Sequence, residues 1–136
     1  MEPRDRAIAL LVALGGASGA VARWGVALAL PWQPPSWPMA TFTVNLLGCT
    51  VIGFLLTVWI EGPTPRWWAR PLVAVGFVGG FTTFSAFAVE GVRLVAADAP
   101  GTALAYVATS VVAGLLLVRA ASLLARRVAG PRGGLR

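Results

Sequence analysis

"GFVGGFTTFSAF", residues 76–87, lies within an apolar run from Pro71 to Val95, yet it holds Gly76, Gly79 and Gly80 together with the hydroxyls of Thr82, Thr83 and Ser85. Each such glycine costs a helix about 1 kcal/mol relative to alanine, and the threonines add χ1 restriction and competing local hydrogen bonds. The stretch therefore predicts a helix that is broken near its middle. Unwound backbone is tolerated at membrane depth only where protein or an aqueous cavity covers it. There, freed carbonyls can coordinate a hard cation, while half-helix N-termini turn amides toward anions. The same glycines also fit an unbroken helix that uses them for close packing.

The rest of the chain sets this segment in a membrane. Of 136 residues, 57% are hydrophobic and only 12% charged, far from the soluble average. Four stretches reach the roughly 20 residues that a helix needs to cross hydrocarbon: residues 7–30, 39–60, 71–95 and 102–125. The expected fold is thus an all-α membrane protein with four transmembrane helices in one domain, the third broken, followed by a basic tail at 126–136. The first apolar run is too long for the core of a signal peptide and contains Arg23, so it is kept as structure. "PWQPPSWP" (31–38), "EGPTPRWWAR" (61–70) and "AADAPG" (96–101) read as short connections. Trp32, Trp37, Trp59, Trp67 and Trp68 fall at segment ends, where indole rings prefer the headgroup level.

All 11 basic residues are arginine, and the formal net charge is +6. Arg4, Arg6, Arg66, Arg70, Arg126, Arg127, Arg132 and Arg136 share one side of the membrane, against Arg93 on the other. By the positive-inside rule the termini are expected in the cytoplasm. A single cysteine, Cys49, excludes an internal disulfide, and without histidine there is no plausible zinc site. Nor is there a convincing nucleophile with its base, so an enzyme is not expected.

Polar side chains inside the spans mark candidate function. Gly15 and Gly19 form a small-xxx-small face on the first helix. Arg23, one turn on, fits either a cation that snorkels to the interface or an inward charge on an anion pathway. On the second helix Thr41, Asn45 and Gly48 share a face. The Asn45 amide fits an interhelical hydrogen bond, and its NH2 can also donate to an anion. Phe84 and Phe87 flank Ser85 and share a face with Glu90. They fit lipid contact or core packing; alternatively, the positive edge of a ring can hold an anion. Tyr106 and Ser110 on the fourth helix, with Thr109 beside them, could form a hydroxyl track; Gly114, one turn further, offers no side chain to extend it.

"GGASGAVARWG" (15–25), "TFTVNLLGC" (41–49), "GFVGGFTTFSAF" (76–87) and the Tyr106/Ser110 face together resemble the CrcB/Fluc family of fluoride channels. The likeness runs from about Gly15 to Arg119 and is most specific in the third segment. It implies a fluoride-selective channel that exports cytoplasmic fluoride passively and lowers its toxicity. It also implies an antiparallel dimer with two pores and a structural sodium ion at the interface, held by backbone carbonyls of Gly79 and Thr82. By the same resemblance Asn45, Thr83, Phe84, Ser85, Phe87, Tyr106, Ser110 and Arg23 are pore or fluoride-contacting residues. Ala86 stands where a hydroxyl residue is common in such motifs, so one donor is missing. The lopsided arginines disfavour insertion in both orientations, which points to an oppositely oriented, separately encoded paralogue as partner. A small proton-coupled multidrug exporter and a non-transporting assembly subunit are the rival readings. The exporter needs an embedded carboxylate, for which Glu90 is the sole acidic residue in a span.

Overall fold

The computed structural model of the chain describes residues 2–61 and 66–129. Residues 62–65 of the second connection, and the tail from 130 onward with Arg132 and Arg136, lie outside the described residues. The described residues form α1 (Pro3–Ala29), α2 (Met39–Glu61), a π-helical segment (Arg70–Val78) that runs into a single turn, α3 (Gly79–Phe81), then α4 (Phe84–Ala96) and α5 (Pro100–Ala129), joined by short connections. Four spans, with the third running from Arg70 to Ala96, are long and apolar enough to cross a membrane.

The helix ends follow local chemistry. α1 begins four residues before the apolar run because Pro3 suits the first turn and the Glu2 amide donates to the Asp5 carboxylate at 3.3 Å. α2 starts directly after Pro38. The turn between α4 and α5 is closed by Asp98 at φ 56°, and Pro100 opens the next helix. α5 runs on to Ala129, so Arg126 and Arg127 sit in a last helical turn, where cations meet the negative end of the dipole, rather than in a tail.

Contacts between helices define the topology. Cβ atoms added at Gly15 and Gly19 would collide with the carbonyl oxygens of Leu72 and Phe77, and one at Gly80 would strike the Gly16 carbonyl. A Cβ at Gly76 would come within 2.8 Å of the Val12 oxygen. Residue numbers rise together on both sides, so α1 runs parallel to the third span. Two small-xxx-small faces, Gly15/Gly19 and Gly76/Gly80, thus meet backbone to backbone, as expected where lipid removes the hydrophobic drive for helix association. α2 and α5 form a second parallel pair, with Gly53 against the Val118 backbone (2.7 Å to its oxygen) and Ser122 donating to the Gly53 carbonyl at 3.2 Å. The pairs run opposite to each other, since Thr41 meets Glu90 and Asn45 meets Thr83.

Helical geometry lapses at two residues of the third span. Thr82 (φ −87°, ψ 160°) and Thr83 (φ −151°, ψ 124°) are extended, and both are β-branched, a class that loses little in that conformation. The lapse falls after the glycines rather than at them. Val78 and Gly79 keep helical dihedrals, and Gly76 and Gly80 serve packing against α1.

Candidate functional site

The extended pair exposes peptide groups that a helix would have satisfied, and α2 supplies the replacement. The Asn45 side chain donates through Nδ2 to the Thr83 carbonyl at 3.0 Å and accepts from the Thr83 amide at Oδ1, 2.9 Å away. One amide side chain thus pairs with both main-chain groups of Thr83, as a neighbouring strand would. Thr83 also caps α4, its Oγ1 accepting from the Ala86 amide at 3.2 Å. That Oγ1 lies 3.2 Å from the exposed Ser85 hydroxyl. Thr82 turns its hydroxyl back to the Val78 carbonyl at 2.9 Å.

These bonds have a consequence for two carbonyls. In a continuous helix the Gly79 oxygen would accept from the Thr83 amide, and the Thr82 oxygen from the Ala86 amide. Both donors are turned to side chains instead. The Gly80 oxygen, between them, accepts from Arg23 Nε at 3.2 Å. Gly79 is exposed, and a Cβ there would meet nothing within 4 Å. Two carbonyls deprived of their helical donors, beside open space, suit the oxygen chemistry that a hard cation such as sodium requires. Among the described residues no cluster of three or more His, Cys, Asp or Glu competes as a metal site.

A cleft of about 490 Å³ opens beside the lapse. Asn45 and Cys49 line it from α2, Gly79, Thr82 and Thr83 from the third span, Phe84 and Phe87 from α4, and Ser110 from α5. The Phe84 and Phe87 ring centroids are 5.8 Å apart. Phe84 is 79% exposed, whereas Phe87 is half-buried and tilts against Tyr106 at 5.3 Å. The Ser110 hydroxyl oxygen is buried in the wall of this cleft without a hydrogen-bond partner. Such a group calls for an explanation, because a native protein leaves few of them.

Three of the expected site residues sit elsewhere. Tyr106 is fully buried and gives its hydroxyl to Glu90 Oε2 at 2.8 Å; it does not line the cleft. Thr41 gives its hydroxyl to Glu90 Oε1 at 2.7 Å, so both carboxylate oxygens are held. Arg23 shares a smaller cavity, about 190 Å³, with Glu90 and Thr41. Ser85 is exposed, with its hydroxyl 3.2 Å from that of Thr83. The sequence reading left out Cys49, although its place one turn after Asn45 on α2 was the available signal. It also left the partners of Glu90 unassigned, since no spacing rule links residues 41, 90 and 106.

Comparison with known proteins gives one consistent result. The family profile described as "CrcB-like protein, Camphor Resistance (CrcB)" matches residues 10–122. The chain is 43% identical over 111 residues to the Fluoride-specific ion channel FluC 2 of Thermobifida fusca, covering 82% of each chain. It is 41% identical over 114 residues to FluC 1 of Mycolicibacterium paratuberculosis, covering 84% of this chain and 86% of that one. It is 44% identical over 125 residues to FluC of Phenylobacterium zucineum, covering 88% of this chain and 95% of that one.

Proposed function

The chain belongs to the CrcB family, a group of multi-pass membrane proteins whose relatives are named as ion channels and not enzymes, and from that premise we propose that it is a fluoride-selective channel exporting cytoplasmic fluoride passively and so limiting its toxicity. The observation that carries this reading is the unpartnered Ser110 hydroxyl in a cleft that also holds Asn45 and two phenylalanine rings. Fluoride is small and tightly hydrated, and an ideal Born cost on the order of 20 kcal/mol opposes its entry into dry protein. Replacement of that water needs donors already in position. Ser110 has an O–H free to give, and Asn45, locked by Thr83 through one N–H and its oxygen, keeps its second N–H. The rings add positive edges without a full charge, which lets the ion leave again.

Other residues act one step back from the ion. Arg23 ties α1 to the lapse through Gly80. Thr83 and Ser85 shape the start of α4, and Thr41 and Tyr106 hold the Glu90 carboxylate. In this proposal the working unit is an antiparallel dimer, which fits the many large apolar side chains left exposed on the single chain. A sodium ion held at the interface, on this chain's side by the Gly79 and Thr82 carbonyls, would supply a fixed positive potential. The termini lie in the cytoplasm, and the partner is an oppositely oriented paralogue, since the arginines favour one orientation.

A fluoride-electrode efflux assay on proteoliposomes, with the chain alone and with a candidate partner, tests the function. Fluoride-selective efflux is expected. Proton-coupled uptake of organic cations without fluoride efflux would favour the exporter, and no flux from any subunit combination would favour an assembly subunit.

A further inference from the structure

α5 carries Ser110 in the cleft wall, but one turn further it has only Gly114, so its row of donors stops there. A side chain from α2 occupies that place. A Cβ added at Gly114 would stand 3.3 Å from the Cys49 sulfur, tighter than ordinary packing, and Cys49 lines the same cleft as Ser110 and Asn45. The thiol is half-buried and lies one turn past Asn45, toward the arginine-rich end of the bundle. The buried, unpartnered Ser110 hydroxyl in the same wall independently marks this region as a place where an acceptor is missing.

Resting on the reading of the cleft as a fluoride path, we infer that the Cys49 thiol takes the place of the absent side chain at Gly114 and is a permeation-lining donor. An S–H group is a weak donor. Past the stronger N–H of Asn45 and O–H of Ser110 it gives a dehydrated anion a shallow step, which suits a route where tight binding would stop release. The bland alternative is that cysteine here is a small hydrophobe filling space.

Substitutions at the two facing positions separate donor from filler. Cys49→Ala should cut fluoride efflux about threefold to tenfold, the value of one modest hydrogen bond. Adding Gly114→Ser should bring efflux back to within about twofold of wild type, because removal of the sulfur makes room for a hydroxyl from α5. Cys49→Ala with Gly114→Ala returns bulk without a donor and should stay low. Recovery in the double alanine variant equal to that with serine, or undiminished flux in Cys49→Ala alone, overturns the inference. A wild-type chain that carries no fluoride in any subunit combination instead removes the channel reading, and this inference with it.

A second measurement uses the unaltered fold. Methyl methanethiosulfonate converts the chain's one cysteine to a mixed disulfide with a methylthio group, releasing methanesulfinic acid. Labelling should block efflux and proceed more slowly in fluoride than in gluconate. A fully labelled protein that conducts like wild type overturns the inference.

Discussion

Asn45→Ala offers a direct test of how the lapse in the third span is held. The substitution removes both bonds to Thr83, at 3.0 and 2.9 Å, and leaves an amide and a carbonyl without partners in a part-buried setting. Each orphaned group costs about 1–3 kcal/mol, and single interhelical bonds in membranes average about 0.6 kcal/mol, so a combined loss of about 2–4 kcal/mol is expected. Unfolding by titration with SDS in mixed micelles measures it. Asn45→Asp separates structure from conduction. It keeps an acceptor for the Thr83 amide but sets an oxygen against the Thr83 carbonyl, so part of the stability is lost, while the negative charge in the cleft should abolish fluoride efflux. An Asn45→Ala protein within about 0.5 kcal/mol of wild type, with unchanged efflux, would refute the idea that this side chain replaces the missing helical bonds.

Other outcomes follow from the same contacts. Phe84→Ile should lower fluoride efflux at least tenfold with little change in stability, since that ring is largely exposed in the single chain; Phe87→Ile should lower both, because its ring also packs on Tyr106; efflux assays and SDS titration read the two effects. Gly80→Val drives a side chain into the Gly16 carbonyl and should cost about 3 kcal/mol or more, seen as loss of a monodisperse peak in detergent. Tyr106→Phe leaves one Glu90 oxygen without its donor and should destabilise by about 1–2 kcal/mol in the SDS titration. Its efflux should fall less than that of Asn45→Asp. Reporter fusions after Val128 should signal from the cytoplasm alone; equal populations on both sides would overturn the fixed orientation and the need for an inverted partner.

Much of the architecture is legible without coordinates, because a bilayer leaves a chain few choices. Apolar runs long enough to span hydrocarbon must be helices, since every peptide group needs a partner within its own segment. The four spans follow from that rule, and proline, tryptophan and arginine mark their ends. The resemblance in "GFVGGFTTFSAF" names the family before any contact is known, because several unusual residues recur there in fixed order. Spacing along α2 likewise places Asn45 on a polar face.

Only the tertiary structure decided what each polar group bonds to, since partners distant in sequence meet through packing. The lapse sits at Thr82 and Thr83 rather than among the glycines because Asn45, 38 residues away, accepts the duty of the missing helical bonds. Gly76 and Gly80 read as weak points in one dimension, but in three they let α1 approach the third span. Tyr106 and Ser110 share a helical face on paper. In the fold Glu90 captures one hydroxyl and leaves the other buried without a partner in the cleft wall, a division that depends on how α4 is rotated against α5 and on no local propensity.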